Sequence, residues 1–167
     1  MKTTIIAAAA ACALLSVPAI AQAETSFYTT LGYANVQADD GVDVELGAGQ
    51  VRVGAKFNQF FAVEGEAAHG VNDDTVGGVE VKLNNQFGVF AVASYPFAER
   101  FEVFGRVGYS TAEFEANFAG VKETESNDDV AYGVGATAFF SERNGVRLDY
   151  TNYGDADAWS VAYVRKW

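Results

Sequence analysis

From residue 26 to the last residue, apolar and polar side chains alternate in runs of about ten, separated by glycine, asparagine and aspartate. A period of two marks strands, because successive side chains leave a pleated backbone on opposite faces. Runs at this spacing predict an antiparallel sandwich or barrel. Eight strands are expected: 26–36, 46–57, 61–69, 79–95, 101–112, 130–140, 146–153 and 159–167. The second sets Val51, Val53, Ala55 and Phe57 against Gln50, Arg52, Gly54 and Lys56. The seventh sets Val146, Leu148 and Tyr150 against Arg147, Asp149 and Thr151. Pro96 is expected to stop the fourth, since proline cannot donate to a ladder. Leu46 falls out of phase with Val51, which a bulge would repair.

The first 23 residues are of another kind. Lys2 supplies a positive start, Ile5 to Ile20 is an apolar run, and Ala21-Gln22-Ala23 has the small-x-small form that signal peptidase reads. Residues 1–23 are therefore expected to be a secretory signal peptide cleaved before Glu24, and 24–167 a single barrel domain. A transmembrane anchor fits less well, because the run is short and Pro18 interrupts it. Cys12 does not read as a lipoprotein cysteine, for no Leu stands three residues before it and the apolar run continues past it.

The remaining chain has no cysteine, which suits an exported protein that does not depend on disulfides. Without Lys2, ten of the 11 basic residues face all 22 acidic ones, leaving a net charge of −12. That sign argues against a nucleic-acid partner, whose phosphates need basic surface. No later run reaches the ~20 apolar residues of a transmembrane helix. Yet half of the chain is hydrophobic, with 13 Phe, 8 Tyr, 17 Gly and only 2 Pro, a composition that favours strands.

Alternation leaves open which solvent the apolar face meets. A soluble barrel buries that face, whereas a membrane barrel turns it outward around a polar interior. Here the second face mixes glycine, alanine, serine and threonine with a few charges, as a narrow eight-stranded interior requires. The apolar face ends in aromatics near the rims: Phe27, Phe57, Phe61, Tyr95, Phe101, Phe140, Trp159 and Trp167. Such residues belong at membrane interfaces. Connections around 58–60, 96–100 and 141–145 are short, while the others are richer in acid and glycine and Glu113 to Asp129 is the longest. The expected fold is thus all-β: an eight-stranded antiparallel up-and-down transmembrane β-barrel with short periplasmic turns and longer extracellular loops.

Three stretches carry a family resemblance: Phe27-Tyr28-Thr29-Thr30-Leu31-Gly32-Tyr33, Ala131 to Ala136, and Gly145 to Gly154. With them the chain resembles the outer-membrane β-barrels of the OmpA and OmpX type, over essentially all of residues 24–167. The resemblance implies a bacterial outer-membrane location, lipid and lipopolysaccharide as surroundings, a monomer, and the barrel-assembly machinery as partner in biogenesis. Trp159, Tyr163 and Trp167 would supply the terminal assembly signal and part of the aromatic girdle. Trp167 replaces the more usual terminal Phe, and Arg165 stands on the lipid-facing side, where it can snorkel.

Inward positions carry paired charges. Folding back across the 58–60 turn sets Arg52 opposite Glu66 and Gly54 opposite Glu64, and the next hairpin can set Lys82 beside Glu66. Glu80, Arg106, Arg147, Asp149 and Lys166 would join the same lumen. Ions drawn into a narrow interior must be matched, so a structural plug is favoured over an ion pathway. Acidic clusters at Asp39, Asp40, Asp73, Asp74, Asp128 and Asp129 are expected in extracellular loops, as a solvated crown or as carboxylates for divalent cations bridging to lipopolysaccharide. No cofactor, metal or catalytic residue is expected: His69, the single histidine, should face lipid without a serine partner. The sequence thus favours a structural or surface-interaction protein, ahead of a narrow gated pore and, last, a lipid-acting enzyme.

Overall fold

The computed structural model describes residues 25–38, 45–72, 74–76, 79–118, 121–154 and 156–167. The expected signal peptide, Asp39, Asp40 and Asp73 lie outside these. Nine strands follow one another: β1 (Ser26–Ala38), β2 (Glu45–Lys56), β3 (Phe61–Gly70), β4 (Asp74–Val76), β5 (Val79–Ala98), β6 (Phe101–Phe118), β7 (Val121–Phe139), β8 (Asn144–Asn152) and β9 (Ala156–Lys166). Each neighbour pair is antiparallel, β1 meets β9, and β3 meets β5, so eight strands close into a barrel. The three-residue β4 adds to β5 beyond that ring.

The alternation sorts the chain as the sequence implies. Val51, Val53, Leu31, Leu148 and Trp159 are outward and exposed, whereas Arg52, Glu64, Glu66, Arg147 and Asp149 are inward and buried. A face this apolar on the outside is stable only against lipid. Aromatics rim both ends. Phe27, Phe61, Phe101 and Phe140 sit beside the short turns, and Tyr109, Tyr132 and Trp159 toward the other rim.

Three expectations change. Pro96 does not end its strand: it lies opposite Glu102, β5 runs on to Ala98, and the register slips between Pro96 and Ala98. A proline near the rim costs the ladder one donor at a place where pairing is already giving way. Leu46 needs no bulge, because β2 pairs with β1 without a break from Lys56 to Glu45. It points inward instead and joins Ala34, Val36, Ala48, Ala68, Leu83 and Ala158 in an apolar cluster that fills the upper lumen. A bulge does occur, between Leu83 and Asn85 of β5, and it turns Leu83 to the inside.

The third change is the largest. Glu113 to Asp129 is not chiefly a loop. β6 and β7 stay paired from Phe101 opposite Ala138 up to Phe118 opposite Val121, so Asp128 and Asp129 lie in β7, opposite Thr111 and Ser110. β8, β3, β9, β2 and β1 have 9 to 13 residues, close to the ~9–11 that a tilted strand needs to cross a bilayer. β5, β6 and β7 have 18 to 20. Their outer halves, with β4, form a four-stranded wing continuous with the barrel wall. β8 pairs only with Tyr132 to Phe139 of β7, so among the described pairings Val121 to Ala131 has a neighbour on one side alone.

A buried ion network in the barrel lumen

Arg52 on β2, Arg106 on β6 and Arg147 on β8 converge inside the barrel on Glu64 and Glu66 of β3 and Asp149 of β8. The short turn at 57–60 fixes the first pairing, with Arg52 opposite Glu66 and Gly54 opposite Glu64, as expected. Asn58 holds that turn by accepting from the backbone N–H groups of Phe60 and Phe61, each at 2.8 Å. Arg52 donates from Nε to Glu66 at 2.7 Å and forks onto both Asp149 oxygens at 2.9 Å each. Arg106 donates to the same Glu66 oxygen at 2.6 Å, and its Nη1 lies 3.3 Å from Glu64. Arg147 donates to Glu64 at 2.7 Å and to Asp149 at 3.2 Å.

Three cations thus meet three carboxylates with no net charge. All six side chains are at most 4% exposed. Bidentate, fully enclosed pairs of this kind are the strong form of the ion pair, but each ion loses its hydration, so only complete matching makes the layer tolerable.

Partners that the alternation did not flag complete the layer. Tyr28 donates to Glu64 and Tyr153 to Glu66, both at 2.8 Å. Phe90 lies under the Arg106 guanidinium, 3.5 Å from ring centroid to Cζ, and Phe104 under that of Arg147 at 4.0 Å. Phe90, Val92 and Phe104 are large apolar residues on the inward parity of β5 and β6, and that break in pattern is the signal that could have found them. Glycine makes the room they need: a Cβ at Gly135 would lie 2.4 Å from the Phe104 ring, and one at Gly54 2.1 Å from that of Tyr28.

Other expected members are elsewhere. Lys82 is not beside Glu66, which faces Gly88; Lys82 pairs with Glu115 in the wing, and Glu80 with Asn117. The bulge and the length of β5 carry both past the ion layer. Asp74 likewise belongs to the wing, in β4. Lys166 stays at the rim beside the short turns, its Nζ 3.6 Å from the centroid of the Phe139 ring. On the outer surface Trp159 meets Tyr150 in a tilted contact at 5.0 Å, Tyr163 approaches Phe140 at 6.5 Å, and Arg165 covers Trp167 at 4.7 Å. His69 points outward, its Nδ1 3.2 Å from Asn85 Oδ1. Among the described residues no group of three His, Cys, Asp or Glu side chains could hold a metal ion.

A closed eight-stranded barrel with an apolar exterior, aromatic rims and a charge-matched interior defines a small transmembrane β-barrel. The model of the "outer membrane protein beta-barrel domain" family matches residues 7–161, and the chain belongs to that family. No curated protein matches the chain in sequence. Among solved structures, Ail of Yersinia pestis, crystallised with the heparin analogue sucrose octasulfate, has a TM-score of 0.67 at 17% identity, covering 87% of this chain and 100% of that one. Neisserial surface protein A has a TM-score of 0.63 at 12% identity (84% and 95% covered), and OprG from Pseudomonas aeruginosa one of 0.64 at 14% (86% and 96% covered). At these identities the likeness is one of fold.

Proposed function

We propose that the protein is a non-conducting, non-enzymatic scaffold of the outer membrane that presents its acidic wing to partners outside the cell. The observation that carries this reading is the mismatch in strand length: five strands have a length close to that needed to cross the bilayer, while β5, β6 and β7 run on to about twice that. The extension carries eight acids in its strands, Asp74, Glu80, Glu113, Glu115, Glu123, Glu125, Asp128 and Asp129, and two lysines, Lys82 and Lys122. One edge, from Val121 toward Ala131, has no second strand neighbour among the described residues, and an extended segment can add there as a further strand. The charge favours a basic partner. Ail, by contrast, has been crystallised in complex with a polyanion, the heparin analogue sucrose octasulfate.

The ion layer supports the non-conducting half of the proposal, because three interlocked arginine–carboxylate pairs fill an interior that is just wide enough for side chains. The signal peptide and the monomeric state expected from the sequence belong to the same reading. Retention of an extended lysine-rich peptide by the refolded protein in detergent tests it. Binding that fades with salt, and disappears when 114–125 is replaced by a short turn in a barrel that still migrates as folded, is the expected result. Peptide binding unchanged by that replacement, or stable open channels in planar bilayers, overturns it.

A further inference from the structure

At the rim beside the short turns, which faces the periplasm, the lumen holds a second polar arrangement that the ion layer does not use. A cavity of about 30 Å³ lies between β1, β2, β5, β6, β7 and β9, with Lys56, Ser94, Glu102, Thr137 and Lys166 in its wall. That space suits one or two water-sized species. Lys56 pairs with Glu102 at 2.5 Å. Lys166 lies over the Phe139 ring and, among the described residues, has no carboxylate within ion-pairing distance, Glu102 acting on it only from farther off. Ser94 and Thr137 are 7% and 5% exposed, and among the described residues their hydroxyls have no hydrogen-bond partner. Arg147, at the inner end, is committed to Glu64 and Asp149.

Two ammonium groups and one carboxylate leave a cation uncompensated in a half-buried place. The carboxylate is already engaged, so what the wall still offers is donors: an ammonium and two hydroxyls free to rotate. We propose that this cavity binds a monatomic anion, chloride, from the periplasmic side, held by Lys166 with the hydroxyls of Ser94 and Thr137. The anion would complete at the mouth the charge balance that the ion layer achieves by itself further in.

The experiment is a ³⁵Cl NMR line-width titration of the refolded protein in zwitterionic micelles, with bromide and sulfate as competitors. Excess broadening displaced by bromide but not by sulfate is expected. Lys166→Met should abolish it, and Thr137→Val, which keeps the shape and removes one donor, should weaken binding about tenfold. Because Lys166 lies in the terminal strand, Thr137→Val serves as the reading if Lys166→Met does not fold. The proposal is overturned if broadening does not exceed that of empty micelles, if it survives Thr137→Val unchanged, or if sulfate competes as well as bromide, which would place the anion on exposed Arg100 and Arg143 instead.

Discussion

The chain uses carboxylates in two opposite ways. Glu64, Glu66 and Asp149 are buried and each bonded to two or more arginine nitrogens, so they add nothing to the charge seen from outside. The acids of the wing, with two lysines among eight of them, are left unbalanced. Burial decides what a charge is for. Enclosed, it must be matched and becomes a cross-link between strands distant in sequence, as between Arg52 and Asp149, 97 positions apart. On the wing it needs no partner within the chain and sets a field for molecules that approach.

Breaking the inner set should cost most. Glu66→Ala strips Arg52 and Arg106 of a shared acceptor, and a loss of about 3–5 kcal/mol is expected in urea unfolding from lipid vesicles. A loss no greater than that of a wing substitution would erase the distinction between the two populations. Gly135→Ala tests the packing beneath the ions, since the added methyl meets the Phe104 ring, the Asp149 Cβ and the Leu148 carbonyl within 2.6 Å. It should cost about 1–3 kcal/mol in the same assay. Within the layer, Arg52 bonds through all three nitrogens, while Arg106 leaves Nε and Nη1 without a hydrogen bond. Arg52→Met should therefore destabilise more than Arg106→Met, by about 1 kcal/mol, the worth of a hydrogen bond. The outer set should answer in reverse: Glu113→Gln with Asp128→Asn should move the unfolding midpoint by less than about 0.5 kcal/mol, yet weaken retention of a lysine-rich peptide. Raising the salt should suppress the peptide binding and leave the inner layer's contribution intact, because enclosed pairs are little screened.

How far the sequence revealed all this depends on how local each determinant is. The barrel was legible because every strand carries its own alternation. Arg52 opposite Glu66 was legible because a short turn fixes the register between them. The fork from Arg52 onto Asp149 was not, for it depends on closure around the whole ring. Phe90 and Phe104 were hidden by their types: large apolar residues on the polar face read as noise until the glycines opposite them and the guanidinium groups above them are seen. Leu46 misled for the same reason, as an inward apolar residue of the upper lumen. The wing escaped notice because Glu113 to Asp129 is rich in acids with weak strand preference. Its pairing is propagated upward from the barrel wall and is not encoded locally.

The seam between β1 and β9 bears on how the protein comes into being. Tyr28 pairs with Lys166, the N–H of Trp167 donates to the carbonyl of Phe27 at 2.9 Å, and its indole reaches Thr29 across 138 positions. The ring therefore closes only when these two strands meet. Until then a growing sheet has two raw margins, each able to capture a stranger, and no inside in which six ions could be sheltered. Sealing the ring and neutralising its interior become one event, set by the meeting of β1 with β9.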